Sequence, residues 1–147
     1  EERRTGFLEA CAEYGLEVPE QRMATCEFSI ESGCETARAL FETAPEIDAL
    51  FCATDTIAIG AMQYLKGSGR RIPEDVALVG VGHSRMTEII TPRLTTSHFF
   101  YKTSGIEAAT ILCQILESGV DMKKQIMLGY ELIPQESTPA AHAVNQN

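Results

Sequence analysis

Two short apolar runs constrain this chain more than anything else in it. Ile47 to Thr54 and Val76 to Gly82 are nearly continuous in apolar residues and bounded by polar ones, the pattern of strands buried on both faces of a parallel sheet. Between them, Thr56 to Gly67 has helical spacing and ends in Gly67-Ser68-Gly69, a stop signal. Asp55 stands where a helix cap is expected. Strand, helix and strand in that order predict an α/β domain with a parallel sheet and right-handed crossovers, a class that holds ligands beyond the carboxyl ends of its strands.

The rest of the chain continues the rhythm. Arg4 to Tyr14 places Phe7, Leu8, Cys11 and Ala12 at helical spacing, with Gly15 behind them as a stop. Met23 to Phe28 is short and β-compatible, and Ser29 caps a helix whose inward positions are Cys34, Ala37, Leu40 and Phe41, ended by Pro45. Leu94 to Phe100 reads as a strand, and Thr103 to Glu117 as a helix with Ile106, Ala109, Ile111, Cys113 and Leu116 inward. Gln125 to Ile133 reads as a last strand, and the polar tail beyond Pro134 is expected to fray.

Composition excludes some classes of function. Lys and Arg number 12 against 21 Asp and Glu, a net charge of −9, so this segment does not carry a basic nucleic-acid surface. No apolar run is long enough to cross a bilayer. The cysteines, Cys11, Cys26, Cys34, Cys52 and Cys113, are odd in number and lack a short paired spacing. They read as reduced core thiols, which points to the cytoplasm. Glu1-Glu2-Arg3-Arg4 looks like the middle of a helix and not like a signal peptide, which suggests a piece of a longer protein.

A search for chemistry in the sequence is mostly negative. Gly80-Val81-Gly82-His83 has two glycines after a strand but lacks the third glycine of a phosphate loop. His83, His98 and His142 form no close ligand pair with each other or with the cysteines, and no Gly-x-Ser-x-Gly elbow is present. No metal or cofactor is expected, and no enzyme.

Polar and aromatic residues do gather at successive strand ends: Phe28, then Thr54 and Asp55, then Gly82 and His83. A neutral, hydroxyl-rich ligand such as a sugar calls for multi-donor or multi-acceptor groups and an aromatic face against its C–H surface. Arg3, Phe28 and Asp55 are of the right types. Each also has a plainer reading: Asp55 as a helix N-cap with a free second oxygen, Phe28 as core, Arg3 as a solvated helix residue and His83 as a turn residue.

Four blocks in order resemble the effector-binding domain of the lactose-repressor/galactose-repressor family of bacterial transcription regulators. They are Arg3-Arg4-Thr5-Gly6-Phe7, the stretch from Ala49 through Thr54-Asp55 to Ala61, Ile72-Pro73-Glu74-Asp75-Val76-Ala77-Leu78-Val79-Gly80, and Pro92-Arg93-Leu94-Thr95-Thr96. The resemblance implies a periplasmic-binding-protein-like fold, with a sugar effector held between two α/β subdomains and a helix-turn-helix headpiece upstream. Residues 1–96 would form the C-terminal effector-binding subdomain, 97–129 a crossover helix and strand of the mostly missing N-terminal subdomain, 130–138 a return strand and 139–147 a flexible tail. Such a piece would expose apolar surface and lean on partner contacts for solubility.

By the same resemblance, Arg3 matches an arginine that clamps sugar hydroxyls and Phe28 an aromatic that packs on the sugar ring. Thr54 replaces the usual asparagine, Gly82 and His83 take the place of an aspartate, and Phe99 offers an apolar wall where some members have a polar contact. These departures imply a roomier pocket and a disaccharide of the sucrose or trehalose kind, or a sugar phosphate. The helix from Thr56 to Leu65 is apolar on nearly every face, so Ile59, Met62, Leu65 and Lys66 are expected at a homodimer interface, a buried core helix being the other reading. The expected protein is a cytoplasmic, sugar-responsive repressor that binds operator DNA through a headpiece absent from this chain. A periplasmic sugar-binding protein of a transporter is the alternative.

Overall fold

The computed structural model describes residues 2–119 and 123–140. The two apolar runs form β1 (Ala49–Phe51) and β2 (Ala77–Gly82), joined by α3 (Asp55–Gly67). β3 (Thr95–Phe99) follows β2 in parallel, and β4 (Tyr130–Ile133) closes the far edge antiparallel to β3. The strand order is β1-β2-β3-β4, so the α/β architecture expected from the sequence is present. Around this sheet lie α1 (Glu2–Glu13), α2 (Ile30–Thr43), the short α4 (Met86–Ile89) and α5 (Tyr101–Ser118).

The core is built around α3. Ala58, Ala61 and Met62 of that helix pack with Ala37 of α2 and with Cys52, Leu78 and Leu94, while Phe41, Leu65 and Val76 form a neighbouring cluster. The helices α2 and α3 approach so closely that a Cβ on Gly33 would lie 2.6 Å from the Ile57 carbonyl; glycine is what lets the two backbones meet. Ser29 caps α2 as expected, accepting a hydrogen bond from Ser32 N at 3.0 Å, and Gly15 takes a left-handed φ of +70° after α1. Burial pushes the Cys52 thiol up to about 12, with Cys26 adding to the effect.

Four sequence expectations need correction. β1 is shorter than predicted and only Leu50 of its residues is even half-buried, because the strand lies at the sheet edge. Met23 to Phe28 is not a strand: a 3-10 turn at Glu20–Arg22 is followed by irregular backbone without a ladder partner. The last strand is only Tyr130–Ile133, and residues 123–129 are irregular. Among the described residues no further parallel strand lies beyond β3 for α5 to cover, and the helix buries none of its residues; Ile106 and Leu116, predicted to face inward, are exposed.

The segment after Pro134 does not fray at once. Ser137 is fully buried and closes the amino edge of the sheet. Its hydroxyl donates to the Leu78 carbonyl at 2.6 Å and accepts from Thr95 N at 2.8 Å, while its own carbonyl accepts from Leu78 N and its N–H donates to Arg93 O. Arg93 N donates to the Glu136 carboxylate at 2.9 Å. Polar residues that looked like a tail are thus partners for otherwise unpaired sheet amides. Residues 141–147 of the expected flexible tail, with His142, lie outside the described residues, as do 120–122 in the middle of the expected 97–129 unit.

Candidate functional site

At the carboxyl edge of the sheet the cap of α3 is Thr54, whose Oγ1 accepts from Ile57 N at 3.3 Å. Asp55, expected to be the cap with one oxygen free, is the first helical residue and only 4% exposed. Its Oδ1 accepts from Thr96 Oγ1 at 2.6 Å and its Oδ2 from Ser84 N at 2.9 Å. A buried carboxylate needs such donors. A Cβ on Gly80 would fall 2.6 Å from Asp55 Oδ1, and one on Gly82 would fall 3.1 Å from Oδ2. The glycines therefore make room for Asp55. Of this arrangement, the Gly-x-Gly after a strand was the one visible signal; Thr96 and Ser84 gave none.

His83 follows Gly82 with a left-handed φ of +56°, uncommon for a residue with a side chain. Its N–H donates to Thr96 Oγ1 at 3.2 Å, so one threonine hydroxyl serves both Asp55 and His83. The His83 ring lies edge-on to His98, with the Nδ1 atoms 3.3 Å apart, and its Nε2 is 3.3 Å from Glu88 Oε1. Register explains the meeting, since Gly82 pairs with His98 across the parallel β2–β3 ladder. His98 in turn stands edge-on to Phe100 and Tyr101. This histidine pair has no signature in the sequence, where fifteen residues separate the two rings. Among the described residues, no group of three His, Cys, Asp or Glu side chains is placed to hold a metal ion.

Arg3 reaches the same edge from α1. Phe7 stacks flat on Phe51, ring centroids 4.8 Å apart, which lays the helix against the end of β1. Arg3 Nη1 donates to the Ala53 carbonyl at 2.6 Å, and its guanidinium lies 5.7 Å from the centre of the Phe99 ring. Arg3, the Thr54 turn and Phe99 are thus brought together, with His83 and His98 at the neighbouring strand ends. Phe28 is not joined to them: it is 71% exposed, just ahead of the α2 cap. It is not a core residue.

The predicted dimer face is internal. Ile59, Met62 and Leu65 are 7%, 4% and 0% exposed, because α2 covers one side of α3 and the sheet the other. The all-round apolar pattern was that of a core helix. Lys66 alone of the four is exposed, and its ammonium donates to the Thr91 carbonyl at 2.9 Å.

Donor-rich arginine, two imidazoles and the rings of Phe99, Phe100 and Tyr101 line an open edge, an assembly suited to binding a polar ligand with a C–H face. The sequence matches the periplasmic binding protein-like domain over residues 1–138. It is 33% identical over 136 residues to the HTH-type transcriptional regulator CelR of Thermobifida fusca, covering 92% of this chain and 40% of that protein. It is 28% identical over 138 residues to the repressor CytR of Escherichia coli, covering 94% and 40%. The solved CelR–cellobiose complex superposes with a TM-score of 0.87 at 33% identity over 92% of this chain and 42% of that one. A LacI family regulator from Arthrobacter sp. FB24 in complex with lactose gives 0.80 at 29% identity over 89% and 49%. The chain spans about two fifths of the length of the curated relatives it matches.

Proposed function

Because the chain belongs to the periplasmic binding protein-like domain family, and resembles LacI-type transcriptional regulators across nearly its whole length, we propose that it is the effector-sensing part of a sugar-responsive repressor. The observation that carries this reading is the meeting of Arg3, the Ala53 carbonyl and Phe99 at the carboxyl edge of the sheet. There a guanidinium offers hydrogen-bond donors beside an aromatic face. The similar proteins are regulators of transcription, which favours this reading over that of a transporter's binding protein and over an enzyme.

In this reading a sugar closes the edge against a second subdomain and shifts a two-state equilibrium that sets the affinity of a headpiece for operator DNA. The protein works in the cytoplasm as a homodimer, through a surface other than the buried face of α3. Relatives titled as complexes with cellobiose and lactose support a disaccharide effector; sucrose and trehalose are narrower candidates, and a sugar phosphate is another. Phe28, exposed at the mouth of α2, is positioned to meet a ligand only if the ligand extends that far. Asp55 acts from below, through Ser84 and Thr96.

Calorimetric titration of the intact regulator with mono- and disaccharides and their phosphates tests the proposal. One member of the panel should bind and change operator affinity. If none does, the sugar reading fails.

A further inference from the structure

Glu88, His83 and His98 form a line in which the roles of the ring nitrogens are linked. A carboxylate only accepts hydrogen bonds, so His83 Nε2, 3.3 Å from Glu88 Oε1, carries a proton. With His83 uncharged, its other nitrogen is an acceptor, so His83 Nδ1 accepts and His98 Nδ1, 3.3 Å away, donates. That leaves the lone pair of His98 on Nε2. Among the described residues no protein group pairs with that nitrogen.

The line is held in place from both ends. His83 keeps its left-handed backbone through the bond from its N–H to Thr96 and the bond from Ser84 N to Asp55; backbone strain of this kind persists where the surroundings enforce it, often at functional sites. The His98 ring stands edge-on to Phe100 and Tyr101. Both histidines lie at the same sheet edge as Arg3 and Phe99.

We propose that Glu88 is a positioning residue which, through His83, holds His98 in its Nδ1–H form and so presents His98 Nε2 as an uncharged hydrogen-bond acceptor for a ligand hydroxyl. Arg3 can only donate. The edge then offers a fixed donor and a fixed acceptor, which selects a free hydroxyl over an ether or deoxy carbon at the position next to His98. The assignment of that donor to a sugar rests on the function proposed above; the tautomer relay does not.

The test is nitrogen NMR on the full chain labelled with 15N-histidine, where multiple-bond proton correlations separate the two tautomers without any ligand. His98 should be in the Nδ1–H form, whereas a free imidazole favours Nε2–H. Glu88 is exposed, so Glu88→Ala leaves the fold intact, and it should raise the Nε2–H fraction of His98 by about tenfold, the loss of one charge-assisted hydrogen bond. A native His98 in the Nε2–H form, or a tautomer ratio unmoved by Glu88→Ala, overturns the relay. Titration with cellobiose and lactose separates the two claims: tautomers as expected with neither sugar bound would remove those sugars and leave the relay standing, while binding of either that Glu88→Ala does not weaken would remove His98 from recognition.

Discussion

Thr96 donates its hydroxyl to Asp55 Oδ1 at 2.6 Å, across 41 residues of chain. The Thr96 hydroxyl oxygen also accepts from His83 N–H, so one buried side chain ties the start of β3 to the start of α3 and to the turn after β2. Thr96→Val keeps the shape and removes both bonds. It should lower the unfolding free energy by about 2 kcal/mol, the cost of leaving a buried carboxylate oxygen without a donor. An unchanged denaturant midpoint would refute this.

Gly80→Ala probes the same carboxylate from the other side. Its Cβ would sit 2.6 Å from Asp55 Oδ1 and 3.0 Å from a Leu94 methyl, so the carboxylate must move. We expect a loss of about 2 kcal/mol, typical of overpacking. Its effect should be far from additive with that of Thr96→Val, because both displace one group; strict additivity in a double-mutant cycle would argue against the shared mechanism.

Arg3 is exposed and meets the Ala53 carbonyl and Phe99 at the proposed ligand edge, which separates binding from stability. Arg3→Ala in the intact regulator should weaken effector binding by at least about tenfold, the loss of a charge-assisted hydrogen bond. The thermal midpoint and operator affinity should stay near their original values. Calorimetry that finds effector affinity unchanged takes Arg3 out of the site.

Met62 separates a core helix from a dimer seam. With the side chain 4% exposed between α2 and the sheet, Met62→Lys buries an unpaired charge and should unfold the chain. Circular dichroism would show lost helix. A folded variant that merely sediments as a smaller species would restore the interface reading.

Acid should loosen the end of the described chain. The Arg93 backbone N–H and then its guanidinium hold the Glu136 carboxyl below its ordinary value of 4.5, so its folded value lies under its unfolded one. The stabilisation is fully present above pH 4.5 and is lost as pH falls through the lower folded value. Asp75, held at about 2 by Arg71, behaves alike over a lower window. Glu136→Gln should flatten the fall of the unfolding midpoint below pH 4.5, and an identical acid profile would count against the Arg93 contact.

The alternation of strands and helices was legible because buried parallel strands need uninterrupted apolar runs, and the runs around Leu50 and Leu78 are where β1 and β2 lie. Ser29 and Gly15 were legible for the same local reason: caps and left-handed stops are written in single residues. What failed was everything that depends on a neighbour. Met23 to Phe28 has strand composition but, among the described residues, no ladder partner, and the apolar stripe of α5 has no described sheet beneath it. Met62 looked like an interface residue because periodicity shows how much of a helix is covered and not by what. At the candidate site, the resemblance pointed to Arg3 and Phe99, which lie against each other in the structure, whereas the His83–His98 contact arises from strand register, which no local pattern announces. Asp55 was expected as a cap with one oxygen free, but it is buried beneath Gly80 and Gly82 with both oxygens engaged, and Thr54 is the cap.

Ser137 sits at the opposite end of the sheet from Arg3 and the two imidazoles, bonded at once to Leu78 and Thr95. It works as a keystone: the inner strands are braced from behind by residues that come last in the described chain. A ribosome must therefore finish nearly all of this segment before those strands can be locked in place, and a premature stop codon upstream of position 137 would release a product whose carboxyl edge, with Arg3 and the two imidazoles, has no rigid floor.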